Sequence, residues 1–236
     1  MNNSVIPVYI GYDPVESGAF YTCADSIQRN SSQPVAIIPV NKRQLPLTRP
    51  WDLKQSNEFA FTRFLTPWLA GYEGHAIFMD CDFLFFEDIS YLWDLRDSKY
   101  AVQVCKHKGD TFKAGRKYLG TEQTVYNKKC WSSLMIFNCE HPDTRKLTPE
   151  YVNEAHGLHL HQFQWTKEKN IGSIPLEWNW LVGHYGLGRD ICALHYTEGG
   201  PYFKDYRDTD FAEDWWDAFY DMIHVKDGIS LERDKE

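Results

Sequence analysis

Residues 75–88 read HAIFMDCDFLFFED, two carboxylates set into a run that is otherwise apolar on both sides. The stretch leading into Asp80 is too short for a helix and rich in apolar residues, so it reads as a fully buried strand ending at Asp80. Asp80 and Asp82 flank Cys81, and two carboxylates in such surroundings are costly to bury unless something positive sits between them. A divalent cation is the neutraliser this pattern points to; backbone amides or a buried Arg are the alternative. The spacing alone carries little information. Nineteen Asp among 236 residues supply about 1.5 Asp-x-Asp pairs by chance, and the chain holds two. The second, Asp208-Thr209-Asp210, lies in a polar run beside Lys204 and Arg207 and reads as a solvated turn and helix cap.

Outward from this run the chain alternates strands with helices. Val5–Ile10 is a short β-branched strand that stops at the turn Gly11-Tyr12-Asp13-Pro14, residues 16–28 read as a helix, and Val35–Val40 as a second strand. Asn57 opens NEFAFTRFLTPWLAGY, where Phe61, Phe64, Leu65 and Trp68 recur at helical steps until Pro67 kinks or ends the run. Residues 100–104 and 133–138 are further strands, separated by a basic, glycine-containing stretch over 105–124 that reads as a surface excursion. Residues 150–169 are helical in parts, 191–196 form a last strand before the turn signal Gly199-Gly200-Pro201, and 210–224 read as an amphipathic helix carrying Trp215, Phe219 and Met222. Such alternation predicts one α/β domain over 1–236 with a mostly parallel central sheet flanked by helices. Ligands of such folds sit outside the carboxyl ends of the strands, where Gly11, Asp80 and His195 fall.

Composition narrows the function. A formal charge of −8 and no basic stripe exclude a protein that tracks nucleic acid. An acidic protein that binds a phosphorylated ligand needs a local cation to offset its own field. The six cysteines at 23, 81, 105, 130, 139 and 192 form no CxxC pair, so they read as free thiols in a reducing compartment. The opening MNNSVIPVYIGYDP lacks the basic start and apolar run of a signal peptide, and no apolar stretch reaches about 18 residues, so a soluble, cytoplasmic protein without a transmembrane segment is expected.

Together these segments resemble family 8 glycosyltransferases and their GT-A relatives. AIFMDCDFLFFEDISYLWDL is similar to the family's strand that ends in Asp-x-Asp and runs on through an acidic turn to a Leu-Trp helix. NEFAFTRFLTPWL resembles its preceding helix with a Thr-Arg pair, SSLMIFN its later strand ending in Asn, IPLEWNW its Leu-Pro-x-x-Tyr-Asn turn and HYTEGGPYF its His-containing terminal motif. The segments keep the family's order from about residue 5 to 205.

The resemblance implies that Asp80, Asp82 and His195 hold Mn²⁺ or Mg²⁺, with donor diphosphate oxygens completing the shell. An oxygen-rich set with one imidazole suits such an ion better than zinc. The donor implied is a nucleotide-sugar, UDP-sugar in the first instance, and the acceptor a carbohydrate or other hydroxyl, with retention of configuration. Gly11, Tyr12 and Asp13 would seat the nucleoside, Tyr12 against the base, although an ordinary Asp-Pro turn reads the same way. Arg63 would bind the nucleotide or orient the first Asp, or else reach solvent. Cys81 and Gly200 would lie along the nucleotide, where the Gly199-Gly200 pair lets backbone approach phosphates.

Gln162 would face the anomeric carbon, but the family's Asp-Gln-Asp appears here as His161-Gln162-Phe163, its Asn-x-Gly as Trp131-Ser132-Ser133, and its Lys-Pro-Trp as Gly200-Pro201-Tyr202. The remaining candidates read as structure: HGLHLH at 156–161 as a polar acceptor-side loop, and Trp165, Trp178 and Trp180 as core before sugar platform. Two competing functions are a sugar-nucleotide pyrophosphorylase, which needs a basic Gly-rich loop that IGYDPVESG lacks, and a non-catalytic carbohydrate- or nucleotide-binding protein on the same fold.

Overall fold

The computed structural model describes residues 5–51, 55–111, 115–116, 120, 122–123 and 126–223. Its strands in chain order are β1 (Ile6–Tyr12), β2 (Val35–Asn41), β3 (His75–Met79), β4 (Phe83–Phe85), β5 (Val102–Cys105), β6 (Gly115–Arg116), β7 (Glu122–Gln123), β8 (Leu134–Asn138), β9 (Ile171–Ile174), β10 (Trp180–Leu181) and β11 (Ala193–His195). The helices are α1 (Ser17–Asn30), α2 (Thr66–Leu69), α3 (Ile89–Asp94), α4 (Pro149–Glu154), α5 (Gly157–His161) and α6 (Ala212–Ile223).

Six strands form the central sheet in the order β2-β1-β3-β8-β5-β9. β1 pairs in parallel with β2 and β3, and β5 with β9. Only β8 runs against its two neighbours, β3 and β5, so the mostly parallel sheet expected from the alternating elements is present with one reversed strand. The inner strands are buried on both faces, as Ile6, Val8, Ile10, Ile77, Phe78 and Met79 show. That is why they read as unbroken apolar runs and not as alternations. Burial of each such side chain contributes about 1.5–3 kcal/mol.

The chain leaves this sheet at Asp80. β4 joins a second, three-stranded sheet in the order β10-β11-β4, and α6 covers it by packing Trp215 against Leu84, Leu194 and Tyr196. The Asp80-Cys81-Asp82 turn is therefore the corner between two sheets. Antiparallel pairing of β4 with β11 sets His195 opposite Phe83, the residue after Asp82.

The continuous helix expected from Asn57 onward is absent. Residues 57–61 are turns, residues 62–65 a 3₁₀ turn, and only α2 is α-helical. Pro67 has no N–H to give to the Arg63 carbonyl; the Thr66 N–H and hydroxyl bond that carbonyl instead and tighten the turn. Helical apolar spacing here reflects a folded-back segment whose Phe59, Phe61 and Phe64 rings reach the core. Part of the 105–124 excursion lies outside the described residues; within it β6 and β7 pair antiparallel. His224, at the end of the last expected helix, lies outside them too. No helix among the described residues is long and apolar enough to cross a membrane.

Candidate active site

Asp80, Asp82 and His195 converge at the corner between the sheets, each buried, with their potential ligand atoms all within 4.8 Å of one another. Ligands on opposite sides of a six-coordinate Mg²⁺-sized ion lie about 4.2 Å apart, so a few tenths of an ångström of closure accommodates an ion. β3 delivers Asp80 at its end, where the Asp80 N–H donates to the Ser133 carbonyl at 2.9 Å. Asp82 is held by its own carbonyl, which accepts the Tyr196 N–H at 3.0 Å. The His195 ring stacks on Phe83, centroids 4.4 Å apart.

Hydrogen bonds behind His195 set its tautomer. Asn179 Nδ2 donates to Ser133 Oγ at 2.9 Å, which turns Asn179 Oδ1 toward His195 Nδ1 at 2.8 Å. Ser133 Oγ in turn donates to the Cys130 carbonyl at 2.7 Å. With Nδ1 donating to Asn179, the lone pair of His195 lies on Nε2. That atom is buried, makes no hydrogen bond and faces Asp82 Oδ1 at 3.4 Å. Two electron-rich atoms turned toward each other in a buried corner match the needs of a cation, as an imidazole supported from behind does in metal sites.

The first carboxylate has a fixed partner. Arg63 is buried, its Nη1 2.8 Å from Asp80 Oδ1 and 3.0 Å from the Ser132 carbonyl, and its Nε bonds the Phe59 carbonyl at 3.3 Å. It neither reaches solvent nor is free to swing; it positions the first carboxylate. This guanidinium and the two buried carboxylates share the corner. Glu16, also buried, accepts from Tyr202 Oη at 2.9 Å. Burial first, then the charges of Glu16, Asp82 and Asp80, push the Cys81 thiol well above its ordinary range. It stays a thiol inside the core, which leaves two carboxylates and one imidazole as the ligand set.

The other expected site residues make contacts of their own. Gly11 belongs to β1, and a Cβ there would stand 2.4 Å from the Phe59 ring, so glycine is what lets the 55–61 segment press against the strand. Asp13 caps the turn after β1: Oδ1 accepts the Val15 N–H and Oδ2 the Glu58 N–H, both at 2.9 Å. Tyr12 is half-buried and meets Phe20 edge-on at 5.3 Å. Gly200 makes room for the Tyr202 ring, whose Cε1 would be 2.1 Å from a Cβ there. Gln162 closes α5, its Oε1 accepting from Gln164 Nε2 at 3.1 Å.

The three histidines of α5 diverge. His156 caps the helix, His159 meets Tyr151 Oη at 2.6 Å, and His161 Nδ1 lies 2.9 Å from Ser132 Oγ. His161 is thus packed against the residue whose carbonyl holds Arg63, not left on a polar loop. Trp165 and Trp178 are core, while Trp180 is half-buried with its Nε1 donating to the Gly186 carbonyl. Asp208 and Asp210 are exposed, as expected of a solvated turn. Asn179, Ser133, Glu16 and Tyr202 were not among the site candidates. Asn179 lay within the recognised IPLEWNW turn, and that was the one signal that could have found it.

The fold matches solved GT-A glycosyltransferases. The bifunctional glycosyltransferase WbbM superposes with a TM-score of 0.65 at 16% identity, over 92% of this chain and 50% of that one. GlyE of Streptococcus pneumoniae TIGR4 gives 0.60 at 13%, over 92% and 60%. The galactosyltransferase LgtC, solved with donor and acceptor sugar analogues, gives 0.59 at 11%, over 94% and 98%. The chain therefore spans half of WbbM and 60% of GlyE but nearly all of LgtC. At these identities the likeness defines a class by fold: a GT-A protein with a buried Asp-Asp-His cluster where its two sheets meet. No family model matches the chain. It is 44% identical to Protein CDI of Arabidopsis thaliana over 217 residues, 88% of this chain and 83% of that protein, and it belongs to the Protein CDI family.

Proposed function

We propose that this chain is a metal-dependent glycosyltransferase that moves a sugar from a nucleotide diphosphate donor, UDP-sugar in the first instance, to a hydroxyl acceptor with retention of configuration. The observation that carries the reading is the meeting of Asp80, Asp82 and the bare Nε2 of His195 at the corner of a GT-A fold. Mn²⁺ or Mg²⁺ bound there supplies a Lewis acid that offsets negative charge developing on the leaving diphosphate.

The chain's own residues prepare the rest. Arg63 fixes the Asp80 carboxylate, and Asn179 fixes the His195 tautomer. Gly11, Tyr12 and Asp13 stand at the end of β1, where the nucleoside sits in this reading, and the backbone at Cys81 and Gly200 faces the diphosphate. Gln162 takes the sugar-facing position: the adjacent His161 touches Ser132, whose carbonyl holds Arg63, so the end of α5 is tied to the metal corner. The six cysteines are free, which supports a reducing compartment such as the cytoplasm.

Calorimetric titration with UDP, with and without Mn²⁺, tests the reading, paired with an assay for slow UDP-sugar hydrolysis in the absence of acceptor. Metal-linked UDP binding is the expected result. Its absence, for UDP and for a panel of other nucleotides, overturns the reading.

A further inference from the structure

Between the turn after β1 and the metal corner runs the irregular segment 55–61, tied to both through its middle residues. Asp13 Oδ2 takes its Glu58 N–H, and its Phe59 carbonyl takes Arg63 Nε, whose guanidinium holds Asp80. The Phe59 ring against Gly11 fixes its height over the strand. The segment therefore forms a wall that joins the proposed nucleoside end of the site to its metal end.

Two side chains on this wall carry polar atoms that the protein does not use. Gln55 and Asn57 are 6% and 8% exposed, yet Gln55 Oε1 and Asn57 Oδ1 are buried without a hydrogen-bond partner. The Gln55 amide is oriented by its own chain: Nε2 donates to the Asn57 carbonyl at 2.6 Å, so the atom left over is the acceptor oxygen. Buried side-chain oxygens are seldom left unpaired, because removing them from water without a replacement hydrogen bond is costly. Two such oxygens, two residues apart on a segment tied to the nucleotide and metal elements, are acceptors without charge.

We infer that Gln55 and Asn57 form a hydrogen-bond-accepting subsite that receives O–H or N–H groups of the bound nucleotide-sugar donor. The inference rests on the nucleotide-sugar reading and deepens it by assigning ligand recognition to a segment outside the Asp-Asp-His cluster. The ligand chemistry is that of a neutral hydrogen-bond donor, which a nucleoside offers through its ribose hydroxyls or ring N–H, and a sugar through its hydroxyls. A carboxamide oxygen pair discriminates strongly against ligands that lack the matching donor, since the oxygens then stay buried and unpaired.

The test uses Asn57→Leu, which replaces the side chain by an apolar one of similar size, and Gln55→Met as a second variant should the first not fold. Melting temperature is read without ligand, and affinity by calorimetry with Mn²⁺ and UDP, GDP or UDP-glucose. The expected result is an unchanged or raised melting temperature together with binding weakened about tenfold or more, tenfold being ~1.4 kcal/mol. Loss with UDP and UDP-glucose alike assigns the subsite to the nucleoside, and loss with UDP-glucose alone assigns it to the sugar. Wild-type affinity for every probe in the folded variants overturns the subsite and leaves the glycosyltransferase reading intact; such a result would show an oxygen that only water serves. If the unmodified protein binds none of the probes, the functional reading fails and the subsite fails with it.

Discussion

Arg63 Nη1 lies 2.8 Å from Asp80 Oδ1 with both side chains almost wholly out of solvent. The same nitrogen donates to the Ser132 carbonyl, and Nε to the Phe59 carbonyl. The guanidinium is thus fixed by backbone on two sides and gives the first carboxylate one position. A buried pair of this kind is not itself a large source of stability, but breaking it leaves an uncompensated charge. Arg63→Met is expected to destabilise the protein by about 3–5 kcal/mol in urea denaturation, and Arg63→Met with Asp80→Asn to recover part of that loss. Additive losses in the double variant would contradict this account of the pair.

Asp82 differs in that its Oδ1 faces His195 Nε2 at 3.4 Å, whereas Asp80 Oδ1 faces a guanidinium. Asp82→Asn is expected to leave the chain folded and to remove the rise in melting temperature that Mn²⁺ gives the unmodified protein. Asp208→Asn, in the exposed Asp-x-Asp pair, should keep that rise in full. Equal behaviour of the two variants in a thermal melt with and without Mn²⁺ would count against the metal assignment.

Much of this geometry was readable beforehand, for physical reasons that differ residue by residue. Asp80 and Asp82 stood out because carboxylates inside an apolar strand need a neutraliser, and His195 because a glycine pair follows it at a strand end. Their meeting depends on β4 pairing with β11, a contact that local periodicity does not encode. Asn179 matters through hydrogen bonds to His195 across 16 positions and to Ser133 across 46, and Glu16 bonds Tyr202 across 186; neither leaves a trace in local pattern. The residues from Asn57 onward misled for the opposite reason. Their apolar spacing is real, but Asp13 and Gly11 pull the segment into turns, and Pro67 denies it the helical bond at Arg63.

Asn179 is expected to act on metal affinity without touching the metal. Asn179→Ala removes the acceptor that holds His195 Nδ1–H and frees the ring to change tautomer. Losing such a support typically weakens metal binding by about 10–100-fold. A Mn²⁺ titration followed by calorimetry measures the change; an unaltered affinity would remove Asn179 from the site. The same substitution also strips Ser133 Oγ of its donor, so circular dichroism should accompany it to separate loss of metal from loss of fold.

Gly11 makes a steric prediction. A methyl group there meets the Phe59 ring at 2.4 Å, well inside contact distance, and that ring belongs to the wall between the nucleoside turn and Arg63. Gly11→Ala is expected to cost about 1–3 kcal/mol, the usual range for overpacking a filled site. Phe59→Leu in the same background should return part of it. Urea denaturation of the two variants decides: if Gly11→Ala alone is neutral, the close approach of segment 55–61 to β1 is not a constraint on the fold.

His107 predicts a pH dependence. Its ring is buried, with Nδ1 2.8 Å from Tyr185 Oη. Burial above all, then the charges of His195 and His184, lowers its pKa to about 3, against about 6.5 for an unperturbed histidine. The folded-state value is depressed, so between about pH 6.5 and 3 the unfolded chain binds a proton that the folded chain refuses, and stability falls as pH falls through that window. The contribution is fully present above about pH 6.5. His107→Gln, which keeps a polar side chain but cannot titrate, should flatten the dependence. Comparing unfolding free energies at pH 7 and pH 4.5, the unmodified protein is expected to lose about 1–3 kcal/mol more than the variant. Parallel losses in the two proteins would show that burial does not hold the ring neutral.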